Sequence, residues 1–211
     1  KMKAIICLGD SITFGIGETP ALGWVGRLKK YFEPSGRYHH VVNLGFPGHD
    51  TNDLLKRIDS ELKTRVRIKR DTDEFLTIVS IGTNDSRFND SKSAINPRIT
   101  KVKFEENIQK IIQKISKYQT KIIFLTTPPA NEELTSPFEG DYFFTNKQIG
   151  SFNNITKKVC KNNKIPVIDI FNLMRKLNYQ NLLEDGLHPN SKGYEFIFKH
   201  VRKFLKDNKT I

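Results

Sequence analysis

The sequence predicts an α/β fold, a three-layer α/β/α sandwich around a five-stranded parallel sheet. Five short apolar runs, each ending in a turn-like cluster, read as strands buried on both faces. Stripes of apolar residues at helical spacing lie between them, so strands and helices alternate as βαβ units do. With right-handed crossovers, five such strands suit an open sheet of the flavodoxin-like type.

The first run is Ala4–Leu8, followed by a helical stripe of Trp24, Val25, Leu28, Tyr31 and Phe32. Val41–Leu44 is the second strand, and Leu54, Leu55, Ile58 and Leu62 form the next helix face. Phe75–Ile81 is the third. The stripe after it is the clearest: Phe104, Ile108, Ile111, Ile112, Ile115 and Tyr118 share one side, with Lys and Gln opposite. Lys121–Thr126 is the fourth strand, followed by a weaker stripe of Ile149, Phe152, Ile155 and Val159. Pro166–Ile170 is the fifth, and Tyr194, Ile197, Phe198, Val201 and Leu205 close the chain. Two long irregular stretches remain, Ser86–Thr100 and Pro128–Thr145, the second rich in aromatics from Phe138 to Phe144.

A length of 211 residues suits one domain over 1–211. A chain of that size buries about 70% of its unfolded surface, so no disulfide or metal is needed to fold it. Hydrophobic residues at 37% and charged residues at 27% exclude a disordered composition. Cys7 and Cys160 make no disulfide framework and read as small buried hydrophobes. No apolar run approaches the ~18 residues of a membrane span. Lys1 before Met2 reads as a start that is not the native one, and Ala4–Leu8 leads into a motif rather than a cleavage site. A cytoplasmic location without a signal peptide is the expectation.

The net charge is +12. Lys63, Arg65, Arg67, Lys69 and Arg70 cluster between two ordered segments. No nucleic-acid motif accompanies them, so a solvated connection with Val66 and Ile68 turned inward is expected, and no nucleic-acid partner. Other motifs fail as well. Thr13 stands where a Gly-x-Ser-x-Gly elbow needs its last glycine. Gly15-Ile16-Gly17-Glu18-Thr19-Pro20 ends in proline where a dinucleotide loop needs glycine. His39-His40 lacks a set of metal-ligand partners.

In open α/β sheets, ligands sit beyond the carboxyl ends of the strands. Polar clusters fall there. Gly9-Asp10-Ser11 follows the first strand, where an exposed Ser11 hydroxyl is a nucleophile if a base reaches it, or a helix cap if none does. Gly48, after the second strand, can present its backbone N–H to a ligand with no side chain in the way. Asn84, in Gly82-Thr83-Asn84-Asp85, can donate its amide to a developing oxyanion or bond its own turn. Near the chain end, Asp185-Gly186-Leu187-His188 lets the carboxylate fold back onto the imidazole. His188 would then be a general base whose tautomer Asp185 fixes. Together these groups supply a nucleophile, oxyanion donors and an oriented base, a full set for acyl transfer.

These four blocks, in this order from about Ile5 to Tyr194, resemble the SGNH hydrolases, also called GDSL-type esterases and lipases. Trp24 to Leu28 and the Thr126–Pro129 turn look similar too. The resemblance implies Ser11 as nucleophile, Asp185 and His188 as its partners, and an oxyanion hole of the Ser11 and Gly48 N–H groups with the Asn84 amide. It implies no metal or other cofactor, and a small-molecule ester or thioester, including lysophospholipid esters, as substrate. The two long loops would set substrate choice, with the 138–144 aromatics stacking a sugar, lining an acyl pocket or packing the loop. A carbohydrate O-acetylesterase and a non-catalytic binding module on the same fold stay open.

Overall fold

The computed structural model describes residues 3–67, 72–89, 97–140 and 142–210. Lys1, Met2, the Ile68–Arg70 part of the basic cluster and segments of both long loops lie outside the described residues. The elements run β1 (Lys3–Gly9), α1 (Ser11–Phe14), α2 (Gly23–Phe32), β2 (His39–Gly45), α3 (Thr51–Arg65), β3 (Glu74–Ser80), α4 (Thr83–Ser86) and α5 (Lys101–Ile115). There follow β4 (Lys121–Leu125), α6 (Glu132–Thr135), α7 (Asn146–Asn162), β5 (Val167–Ile168), α8 (Ile170–Arg175) and α9 (Ser191–Asp207).

All strand pairs are parallel, in the order β2-β1-β3-β4-β5. This is the flavodoxin-like order, in which the connections reverse direction between β1 and β3. Period-two alternation sends side chains to opposite faces. Ile5, Cys7, Leu76, Ile78, Ile123 and Leu125 pack with Trp24, Leu28, Ile197 and Val201 of α2 and α9. Ala4, Ile6, Leu8, Phe75, Val79 and Phe124 pack on the other side with Leu54, Ile58, Ile108, Ile111 and Phe152 of α3, α5 and α7. Two apolar layers thus clamp the sheet and hold its carboxyl ends in fixed relation.

The expected strands agree within a residue or two at each end, the fifth being shorter than expected. Ile170 does not extend β5 but opens α8, because the Asp169 carboxylate accepts the Asn172 N–H (3.2 Å) and caps a helix there. Pro166 cannot donate to the ladder, though its carbonyl still accepts the Phe124 N–H at 3.1 Å. One stripe member sits elsewhere: Tyr31 is exposed, against the edge of Phe198. Tyr118 lies past α5 but packs against the same core layer as the rest of its stripe, with its hydroxyl on the Asp59 carbonyl (3.0 Å). Cys7 and Cys160 are free and buried, and burial pushes both thiols up, Cys160 to about 12. Of the basic cluster, Arg65 pairs with Glu61 (2.6 Å) and Val66 packs partly on the core.

Candidate active site

Parallel register sets Gly9 of β1 beside Gly45 of β2 and Ser80 of β3. Three loops therefore leave from neighbouring points. A Cβ on Gly9 would meet Thr13 Oγ1 at 2.1 Å and the Ser80 carbonyl at 2.3 Å, so only glycine lets the chain turn this tightly. The next residue, Asp10, is extended and caps α1 by accepting the Ile12 N–H (3.0 Å). The helix cap is thus Asp10, and Ser11 is the first helical residue. Ser11 is buried rather than exposed, with 8% of its surface accessible.

His188 reaches Ser11 from the far end of the chain. Its Nε2 lies 2.9 Å from Ser11 Oγ, and its Nδ1 lies 2.7 Å from Asp185 Oδ2. Asp185 Oδ1 accepts the backbone N–H groups of Leu187 (2.9 Å) and His188 (2.7 Å). The fold-back needs Gly186, whose φ of +89° is unfavourable for residues with a Cβ. The loop is tied down by Glu184 N–H to the His188 carbonyl (2.8 Å) and by Asn131 N–H to the Gly186 carbonyl (2.7 Å). Burial alone would raise the Asp185 pKa. The hydrogen bond and charge of His188, with the two backbone amides, outweigh it and hold the carboxyl below its ordinary range. An ionised Asp185 only accepts, so Nδ1 carries a proton, and in the neutral imidazole Nε2 then faces Ser11 with a lone pair.

Gly48 has φ +78° and open space where a Cβ would stand. The backbone N–H groups of Ser11 and Gly48 donate to no acceptor among the described residues. Asn84 is buried and gives one amide hydrogen to the His49 carbonyl (3.0 Å), which leaves the second available.

Several contributors were not legible in the sequence. Asp85 accepts the Thr51 N–H (3.1 Å) and the Thr51 hydroxyl, while Asn107 donates to Thr51 Oγ1 (2.8 Å) and to Asn52 Oδ1 (2.9 Å). This network locks the start of α3, and so the loop holding Gly48, against the turn holding Asn84. Asp10 has one carboxylate oxygen, Oδ2, buried without a partner. Burial pushes Asp10 up to about 6 and Asp85 up to about 7. A polar residue directly after an apolar strand was the available signal for Asp10, and the acidic end of the Gly82–Asp85 turn for Asp85. Phe138 packs with Phe144, Ile149, Phe171 and Leu187, and its ring stands edge-on to His188 at 6.2 Å between centroids. The aromatic stretch therefore packs the loop and also walls the imidazole. No cluster of three or more His, Cys, Asp or Glu side chains placed to hold a metal occurs among the described residues.

A model of the GDSL-like lipase/acylhydrolase family matches residues 7–196. A GDSL esterase/lipase of Arabidopsis thaliana is 24% identical, covering 96% of this chain and 78% of its own. The isoamyl acetate-hydrolyzing esterase 1 homolog of Homo sapiens is 27% identical over 93% of this chain and 79% of its own. Among solved structures, the lipase/acylhydrolase of Enterococcus faecalis superposes with a TM-score of 0.78 at 26% identity, over 98% and 97% of the two chains.

Proposed function

The chain belongs to the GDSL-like lipase/acylhydrolase family, and from that premise we propose that it hydrolyses carboxylic esters or thioesters through an acyl-enzyme formed on Ser11. The observation that carries this reading is the continuous relay from Ser11 Oγ through His188 to Asp185, at 2.9 and 2.7 Å. His188 Nε2 takes the hydroxyl proton as Ser11 Oγ attacks the acyl carbonyl. Asp185 stabilises the imidazolium without itself taking the proton. The tetrahedral oxyanion is held by the N–H groups of Ser11 and Gly48 and the free amide hydrogen of Asn84. His188 then protonates the leaving group as the tetrahedral intermediate collapses. Water, deprotonated by His188, attacks the acyl-enzyme and releases the acid. One domain holds all these groups.

Short acyl esters are the first substrates to assay, because one relative is named for isoamyl acetate and Phe138 crowds the imidazole. The test is Ser11→Ala with p-nitrophenyl acetate and butyrate. Turnover should fall by about 10⁴ or more with the melting temperature retained. Wild-type rates in that variant would remove Ser11 as nucleophile.

A further inference from the structure

We propose that Arg87 gives the Ser11 site a preference for esters carrying a negative charge near the scissile bond, an inference that rests on the ester-hydrolase reading above. Arg87 stands three residues after Asn84, where α4 gives way to extended chain. Its guanidinium lies over the Tyr142 ring at 3.9 Å. Tyr142 exchanges two backbone hydrogen bonds with Phe138 (2.6 and 3.1 Å), and Phe138 is the residue edge-on to His188. On the other side, Phe88 and Phe143 exchange two more (3.0 and 2.9 Å), which fixes the Arg87 strand against the aromatic hairpin. Arg87 therefore sits on a seam between the Asn84 turn and the wall of the imidazole.

A neighbouring cation shows what is unusual here. Arg98 is spent on the protein, with Nε on Asp50 (2.8 Å), Nη2 near Asp53 (3.6 Å) and Nη1 towards the Gly48 carbonyl (3.5 Å). Among the described residues Arg87 forms no ion pair, and its buried Nε has no hydrogen-bond partner. Burial and then the charge of Arg98 push its pKa below the usual guanidinium range, a penalty that a bound anion would relieve. Stacking on Tyr142 orders the planar fork before a ligand arrives, which suits carboxylate or phosphate recognition.

The experiment uses two matched pairs of esters. One pair places the charge on the acyl side, mono-p-nitrophenyl glutarate against p-nitrophenyl valerate. The other places it on the leaving group, 4-acetoxybenzoate against its methyl ester. The ratio of kcat/KM within each pair is compared for wild type, Arg87→Gln, Arg87→Lys and Lys110→Gln, the last removing an exposed charge on α5. In at least one pair, Arg87→Gln should lower the charged-to-neutral ratio about tenfold, mainly through KM, with Arg87→Lys between it and wild type and Lys110→Gln unchanged. The pair that responds identifies the side on which the charge is read. Equal falls for both members of each pair would mark Arg87 as loop support only and overturn the inference. Should Arg87→Gln fail to fold, Arg87→Lys decides on the same ratio, an unchanged value counting against it. A wild-type enzyme inert toward all four esters would instead overturn the hydrolase reading.

Discussion

The middle of the sheet and its carboxyl ends are made by the same strands and obey opposite rules. In the middle, Ile6, Cys7, Leu8, Ile78, Val79 and Phe124 are fully buried and purely apolar. Past the strand ends, the buried polar side chains include Asp10, Ser11, Thr83, Asn84 and Asp85. Glycines at positive φ gather in the same loops, at 15, 48, 82 and 186. Two of the carboxyls there are pushed up in pKa by burial. Each of these features costs stability, since a buried charge or an unpartnered oxygen is disfavoured. The difference teaches that the two apolar layers supply the rigidity, and the strand ends use it to hold polar groups in positions they would not adopt alone.

If that division is right, substitutions at the two places should separate activity from stability. Outside the Ser11–His188–Asp185 relay, the largest effect belongs to Asn84→Ala. It should lower kcat by on the order of 10² to 10³ with little change in KM. Its stability cost should stay near ~1 kcal/mol, for the bond to the His49 carbonyl. Steady-state kinetics and urea titration on the same preparation measure both. A stability loss that accounts for the whole loss of activity would erase the distinction.

The next effect is a pH dependence. Well below the ordinary Asp pKa of about 3.9, Asp10 and Asp85 are protonated in folded and unfolded chains alike. As pH rises towards their folded values of about 6 and about 7, the unfolded chain loses these protons first. The folded state then binds more protons, so their contribution to stability falls across that window and is fully lost above it. Asp85→Asn should flatten this fall, as read from urea midpoints between pH 4.5 and 7.5. An unaltered slope would mean that Asp85 is not the group that titrates.

The smallest effect tests the other half of the contrast. Ile58 is fully buried in the α3 layer. Ile58→Val should cost about 0.5–1.5 kcal/mol in urea unfolding. Its kcat/KM should stay within about twofold of wild type. A large loss of turnover from this distant change would show that the core does more than hold the loops in place.

The sequence carried the same contrast unevenly. Apolar runs and long helix stripes mark the layers because each spans several residues of one period, as from Phe104 to Ile115. The four-residue helices α1, α4 and α6 have too few turns to show a period, and α1 and α6 are held by the caps of Asp10 and Asn131. Ser11, Gly48, Asn84, Asp185 and His188 were legible because the first three stand in the turns that follow strands and the last two stand three residues apart. The supporting groups were not. Thr51, Asp85 and Asn107 meet across 34 and 56 residues of chain, and Arg87 finds Tyr142 through a hairpin whose register only the folded loop defines. Long-range pairs of this kind leave no local spacing to read. The aromatic stretch was legible as packing, but its edge-on approach to His188 was not.

The central claim is that the hydroxyl of Ser11 is the group His188 activates. Incubation with a fluorophosphonate, followed by peptide mass spectrometry, tests it most directly. One adduct on Ser11 is expected, absent in Ser11→Ala and formed at least about 10³-fold more slowly in His188→Ala. An unlabelled wild-type protein, or an adduct on another side chain with Ser11 unmodified, would contradict it.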